Sequence, residues 1–530
     1  MSVQNILLVQ FLISIIKEIT QNTKIKTQTK YLILFLLFNI CLHAQASKNK
    51  DIDHFIETMF DSLEYIPSIS IGVIHNGKIV HKKAYGYSDV KNKIPATTST
   101  QYYIASTTKS FTALAAKVLE EKGLLDFKKS LKDYFPEVNF ADAIQAHKIT
   151  IPDLLGHTSG IDNCGNMTRK LAYTGTYTHE QLFELMSKTC SRLPYGTYRY
   201  SNLGYNIMNL IFLKELGKTW KDVVQEEVLD PIEMNHTYSS YVSLLENRET
   251  VAVPYNALGN GKELFEISRY RKKDATLHAA GGLYSSVDDV LKWLLIQVHD
   301  GKENDKTIIS PSALLKTREK RNAITGKDFG LDKLNTSYGL GWNIAQYKEN
   351  ILYHHGGAYT GYLTMISYIP ETKSGVVVMV NDSKLGHLYV NKISMFVYDA
   401  LDKKVKNDNW KEPYFQWIKD IKFQTEKFGR KAIYKDFSNR AKRKWNLSVP
   451  DNSITGVYKS KDNENLDMIR IFETVKGFSI KQGEWNASVE PYKDLNTIRV
   501  QFVRPSVLKL DIEGKRVKGF SYNGDYFEKL

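Results

Sequence analysis

A β hairpin near the start of the chain constrains the fold more than any other feature, because its sheet must be completed from far along the sequence. Ser68–His75 (SISIGVIH) and Lys78–Tyr85 (KIVHKKAY) are β-rich runs split by Asn76-Gly77, a two-residue turn signal. Helical patterns then dominate from about 128 to 320, interrupted by turn-rich loops. Strand patterns return at Ser337–Ala345, Ile351–His354, Leu363–Ile369 and Val376–Asn381, the last two joined by the turn Pro370–Gly375. Strands at both ends of a helical middle predict one sheet of non-sequential order flanked by helices, an α/β fold.

The chain is too long for one domain, with 530 residues. The stretch 401–449 is charged and aromatic, carries the basic run Asn439–Trp445, and reads as a solvated helical linker. From 450 to 530 the pattern changes to short alternating strands with glycine-bearing turns, a small all-β domain. A hydrophobic fraction of 42% with 25% charged residues excludes wholesale disorder. The net charge of +14 is scattered, and no zinc-finger spacing or stacking motif accompanies the basic runs, so no nucleic-acid partner is expected. Three cysteines are too few for a disulfide scaffold or a cysteine-ligated metal cluster.

Residues 1–46 read as a leader. The apolar runs Ile6–Ile16 and Tyr31–Leu42 are both shorter than the roughly 20 residues that span a bilayer. Lys24, Lys26 and Lys30 precede the second run and Ala44-Gln45-Ala46 follows it, the layout of a signal peptide cleaved after Ala46. Export to a periplasmic or secreted location is therefore expected, with an uncleaved membrane anchor as the alternative. Export would leave Cys164 and Cys190 either joined in a disulfide or as two free thiols.

Ser-x-x-Lys puts a hydroxyl and a potential base on one helix face. It occurs at Ser14, Ser47, Ser88, Ser106 and Ser506, but only Ser106-Thr107-Thr108-Lys109 stands at the start of a strongly amphipathic helix, which Ser106 is expected to open. Burial there would lower the pKa of Lys109 and make it a base, while the bland alternative is that Ser106 merely caps the helix. Tyr-x-Asn occurs at Tyr200-Ser201-Asn202 and Tyr389-Val390-Asn391. The first follows a turn and precedes a helix. An ammonium nearby would depress the pKa of Tyr200, and Asn202 could bind a substrate amide. His355-Gly356-Gly357-Ala358-Tyr359-Thr360-Gly361 adds a second glycine to a His-x-Gly triplet directly after a strand. Its glycines would let substrate lie along the backbone, with the N–H of Ala358 joining that of Ser106 as an oxyanion hole. Lys373-Ser374-Gly375 spells a related triad but falls in a predicted hairpin tip.

These motifs, with LLGHTSG at Leu154–Gly160, AGGLYSS at Ala280–Ser286 and YGLGW at Tyr338–Trp342, resemble in order the serine β-lactamase-related family of class C β-lactamases, D-peptidases and carboxylesterases. The resemblance covers roughly residues 52–400. It implies an α/β sandwich with an all-helical insert, Ser106 as nucleophile, Lys109 and Tyr200 as proton-transfer groups, His157 as a loop brace, and neither metal nor cofactor. The catalytic domain is accordingly set at 47–400, and the terminal domain resembles a small barrel-like module that some members append. Class C β-lactamases carry a lysine where this chain has His355, which favours the esterase or peptidase branch. The expected activity is acyl transfer through Ser106 on a small ester or D-amino-acid peptide, with a cell-wall source in view. The rival classes are a class C β-lactamase and a non-catalytic binding protein.

Overall fold

The computed structural model describes residues 49–530, except residue 64 and the stretches 163–165, 176, 192, 258–263, 325–329, 403–407, 462–465 and 503–505. The leader and Cys164 lie outside these residues; Cys190 is disulfide-bonded. At the first hairpin, β1 (Ser68–His75) and β2 (Lys78–Asp89) pair around Asn76 and Gly77, whose φ values of 51° and 74° suit a twisted two-residue turn. A short β3 (Ile94–Pro95) borders β2. After the helical middle come β4 (Asn322–Ala323), β5 (Asn335–Tyr338), β6 (Asn343–Tyr347), β7 (Asn350–Tyr359), β8 (Tyr362–Ile369) and β9 (Ser374–Val380).

Together they form one nine-stranded sheet in the order β4-β5-β6-β7-β8-β9-β1-β2-β3. The first hairpin joins the last strand, with Ile69 opposite Val380 and Ile74 opposite Gly375. Every residue of β1, β8 and β9 is buried, as expected of strands covered on both faces. One expectation fails: Ser337–Ala345 is two strands, β5 and β6. The Gly339 N–H donates to the Trp342 carbonyl at 2.9 Å, and this tight reversal turns the chain back on itself.

The helices that matter for the site are α1 (Thr108–Glu121), α2 (Asn202–Leu216), α3 (Val287–Val298), α4 (Pro311–Arg318) and α5 (Gly386–Leu401). The helical middle also contains small two-stranded ribbons, one of them pairing Tyr102–Tyr103 with Tyr284–Ser285. Helix α3 lies on β1, β8 and β9. An aromatic chain ties α1 to the sheet: Phe111 stacks on Trp293 at 4.1 Å, Trp293 on Trp342 at 6.3 Å, and Trp342 meets Tyr368 edge-on at 5.0 Å.

The chain divides into two compact units. The smaller joins residues up to 64 with Lys392–Thr425; there Phe55 stacks on Phe396 at 4.2 Å and Lys411 donates to Asp51 at 2.7 Å. The larger unit, Tyr65–Asn391 with Glu426–Leu530, holds the sheet and a closed antiparallel barrel. The barrel strands are β10 (Gly456–Ser460), β11 (Ile469–Thr474), β12 (Gly477–Gln482), β13 (Trp485–Pro491), β14 (Thr497–Val500), β15 (Ser506–Glu513), β16 (Arg516–Tyr522) and β17 (Asp525–Lys529). Pairing of β10 with β17 closes it, so no strand edge is left open. Ile469, Ile480, Ile498, Phe520 and Phe527 fill its centre with no exposed surface.

Candidate active site

Ser106 does not open the α helix. It sits in the 3₁₀ turn Ala105–Thr107, and α1 begins at Thr108 with no side-chain cap. The capping reading of Ser106 therefore has no support. Ala105 holds φ 47°, a left-handed value rare for a non-glycine residue, immediately before the serine. Such local strain persists only where the surroundings enforce it, and here they do. Ile104 N–H donates to the Leu283 carbonyl at 3.0 Å, Tyr103 donates to the Gly281 carbonyl, and Thr112 donates to the Ala279 carbonyl at 2.8 Å. The AGGLYSS stretch thus clamps both sides of the serine turn.

Lys109 is fully buried, and its Nζ lies 3.3 Å from Ser106 Oγ. It donates to Asn202 Oδ1 at 2.7 Å and to the Ala280 carbonyl at 2.7 Å. Burial alone pushes its pKa well below that of an ordinary lysine. A neutral amine has two hydrogens and one lone pair. Two fixed carbonyl oxygens take the hydrogens, which leaves the lone pair for the Ser106 hydroxyl proton. This geometry can make a base of Lys109.

Tyr200 corrects a sequence expectation. Its hydroxyl is hydrogen-bonded to Ser106, but its pKa is raised, because burial outweighs the lowering effect of that bond and Tyr198 and Asp332 add smaller upward pushes. The phenol stays protonated and can donate a proton. Asn202 has a task beyond the one expected: its Oδ1 accepts from Lys109 and so helps to hold the lysine.

The cleft beside Ser106 has a volume of about 330 Å³ and is lined by Tyr200, His355, Gly357 and Ala358, among others. Strand β6 pairs with β7 only as far as His354, so the following residues His355–Tyr359 have a strand partner on one side only. Gly357 lines the cleft and also serves packing. A Cβ there would strike the Ile104 carbonyl and lie 2.9 Å from Thr107 Oγ1, so glycine lets β7 press against the serine turn. Gly361, at φ 85°, turns β7 into β8. Ala358, the residue after Gly357, lines the cleft together with Ser106.

His355 is 2% exposed. The Gly356 carbonyl can only accept, so His355 Nδ1 carries a hydrogen toward it at 2.8 Å, while Nε2 lies 3.1 Å from the Tyr338 hydroxyl. His157 braces a loop, as the resemblance implies. Its Nδ1 accepts the Ser201 N–H at 3.2 Å, its ring lies 4.4 Å from that of Tyr200, and burial holds it neutral. Lys373 is exposed in the β8–β9 turn with φ 45° and lies outside the cleft lining, as its hairpin-tip reading requires. Asn391, from the second Tyr-x-Asn, lines the cleft from α5. The sequence did not reveal the Ala280 carbonyl, Tyr338, Tyr198 or Asp332 as site groups. AGGLYSS and YGLGW marked two of these places, but no spacing rule identifies a backbone carbonyl as a lysine ligand. Among the described residues no cluster of side chains suits a metal ion.

The Beta-lactamase family model matches residues 56–392. The chain belongs to the beta-lactamase family, whose members of this fold are serine hydrolases. Protein flp of Staphylococcus aureus is 26% identical over 333 residues, 62% of this chain and 62% of its own length, so the chain spans less than two thirds of that relative. Unguisins hydrolase ungD' of Aspergillus campestris is 25% identical over 407 residues, 71% of this chain and 70% of its own length. Among solved structures, an octameric penicillin-binding protein homologue from Pyrococcus abyssi superposes with TM-score 0.56 at 22% identity, covering 91% of this chain and 99% of its own. The D-amino acid amidase of Ochrobactrum anthropi gives TM-score 0.55 at 21% identity, covering 66% and 98%. Both likenesses are of fold.

Proposed function

We propose that the protein is an exported serine hydrolase that forms an acyl-enzyme at Ser106 on esters or D-amino-acid-containing peptides. The observation that carries this reading is the seat of Lys109, a buried amine whose hydrogens are taken by Asn202 and Ala280 and whose third direction meets Ser106 Oγ at 3.3 Å. In the acylation step Lys109 takes the serine proton as Oγ bonds to the acyl carbon. The negative oxygen is held by the N–H groups of Ser106 and Ala358. The proton then passes by way of the Tyr200 hydroxyl to the departing alcohol or amine as its bond to the acyl carbon breaks. Water repeats the sequence and releases the acid.

His355 favours substrates without a carboxylate at this end of the cleft, because a buried imidazole hydrogen-bonded to the neutral Gly356 carbonyl and Tyr338 hydroxyl offers no permanent cation there. A lysine there would offer a permanent cation, a charge-assisted contact of roughly 1.5–3 kcal/mol. The likeness to a D-amino acid amidase supports the D-amino-acid side of this reading, and the relative named unguisins hydrolase supports a hydrolase. Export rests on the leader. The test is intact-mass analysis after treatment with an active-site phosphonate, followed by kinetics on esters, D-peptides and a chromogenic cephalosporin. One adduct, on Ser106 and absent in Ser106→Ala, is expected, with esters or D-peptides ahead of the cephalosporin in kcat/KM. Absence of any adduct would leave a binding role, and cephalosporin preference would return the chain to the β-lactamase branch.

A further inference from the structure

The charge of the cleft is unexplained by the acyl-transfer machinery. Among the described residues that line it, the ionisable side chains are Tyr198, Tyr200, His355, His387 and one carboxylate, Asp332. His387 is kept neutral by burial, the largest influence on it. Asp332 is half-buried, and among the described residues its side-chain partner is the Asn335 amide at 3.5 Å. No lysine or arginine among the described residues stands within ion-pair distance of it. A carboxylate without a cation on a concave wall is costly to desolvate further unless something positive arrives with the ligand.

The carboxylate is also held in place. Asp332 belongs to the short 3₁₀ segment Gly330–Leu334, whose Leu331 is fully buried and donates its N–H to Asn391 Oδ1 at 3.0 Å. Gly330, at φ 60°, sits so close to Asn391 that a Cβ would collide with it. The Asn391 amide in turn donates to the His387 carbonyl at 2.9 Å. Its position says which part of a substrate it meets. Asp332 acts electrostatically on Tyr198 and Tyr200, and Tyr200 is the group that hands a proton to the leaving atom. Ser106, Tyr198, Tyr200 and Asp332 line the same cleft, so a leaving group protonated from Tyr200 departs into a space that Asp332 walls, where the aromatic ring of Tyr198 can itself favour a cation.

We propose that the cleft selects esters or amides whose leaving group carries a positive charge, with Asp332 as the residue that binds it and Asn391 as the residue that positions Asp332. The inference rests on acyl transfer at Ser106 and adds the charge of the substrate to it. An anionic leaving group is repelled by the same carboxylate.

The test uses three thioacetates read by thiol release: one with a trimethylammonium-bearing leaving thiol, its neutral tert-butyl isostere, and a carboxylate-bearing counterpart. For the wild-type chain kcat/KM is expected to fall from cationic to neutral to anionic, with the first ratio on the order of tenfold. Asp332→Asn should bring the cationic-to-neutral ratio near one, and Asp332→Lys should invert the order. Ratios within one variant cancel any loss of folded protein, and a melting curve accompanies each. Hydrolysis of the neutral thioacetate with no cationic preference, or a preference unchanged in Asp332→Asn, overturns this inference and leaves the hydrolase reading standing. Turnover of none of the three, together with no phosphonate adduct on Ser106, overturns both.

Discussion

At Lys109 two effects pull in the same direction. Burial disfavours the ammonium form, and the two hydrogen-bond acceptors are neutral carbonyl oxygens of Asn202 and Ala280, so no carboxylate restores the charge. The pKa falls, and the active form is the deprotonated one. The acid limb of kcat/KM should therefore rise with pH through a value well below that of an ordinary lysine, which a pH–rate profile measures. Lys109→Ala should cost on the order of 10²-fold or more in kcat. Lys373→Ala, in the exposed hairpin turn, should leave kcat as it is; a large loss there with a mild one at Lys109 would reverse the assignment. Asn202→Asp is the sharper test, because it sets a carboxylate where Oδ1 now accepts at 2.7 Å. An opposite charge favours the protonated lysine, so the acid limb should move up by about one unit or more, with activity recovered at higher pH. A purely structural defect would lower the plateau and leave the limb where it is.

Among the elements, β7 and the serine turn work as a pair. The turn is held in a left-handed backbone at Ala105 by contacts from AGGLYSS, and β7 closes on it only because residue 357 lacks a side chain. Gly357→Ala must push the strand away from Ile104 and Thr107. The expected cost is about 1–3 kcal/mol of stability, typical of overpacking, together with a fall in kcat as the strand shifts away from the serine turn. Thermal melting and phosphonate labelling rates check the two effects separately. The aromatic run Phe111, Trp293, Trp342 and Tyr368 fixes α1 against the sheet from the other side. The serine turn is therefore packed between β7 on one side and the aromatic anchor of α1 on the other.

On the scale of the whole molecule, the barrel docks onto the helical insert. Lys170 and Asp467 form a buried ion pair at 2.7 Å, Arg169 reaches Asp525 at 3.4 Å, and the Glu484 N–H donates to the Thr174 carbonyl at 3.1 Å. Trp485 of β13 packs on Tyr173, 5.4 Å between ring centres. The ammonium of Lys272 lies 4.8 Å from the ring of Tyr173 and 4.6 Å from that of Tyr359, the last residue of β7. The barrel thus backs the far end of the strand whose nearer residues line the cleft. Removing one partner of a buried ion pair leaves the other charge uncompensated, at about 3–5 kcal/mol. Lys170→Ala should accordingly uncouple the barrel, splitting one calorimetric transition into two, while Lys273→Ala, whose contact to Glu484 at 3.4 Å is solvent-exposed, should not.

Periodicity and turn chemistry were enough to determine the sheet's two ends, the Asn76-Gly77 hairpin, the helical middle, the separate terminal β domain, and Ser106 with Lys109 as the pair to watch. Those properties are local: alternation, an amphipathic repeat, a helical turn between two side chains. The tertiary structure decided the rest, because each remaining feature depends on groups distant in sequence. The split of Ser337–Ala345 into β5 and β6 follows from a reversal that hydrophobic alternation does not encode. The direction of the Tyr200 shift is not legible in the sequence, because burial, which raises it, is a property of the assembled fold. Asn202 holds Lys109 because α2 and α1 meet, not because of its place in a motif. The second Tyr-x-Asn looks like the first in sequence, yet Asn391 supports the loop that carries Asp332, a role created only when α5 packs beneath that loop. Hydrogen-bond partners and desolvation arise from contacts, and contacts between distant segments exist only once the chain has folded.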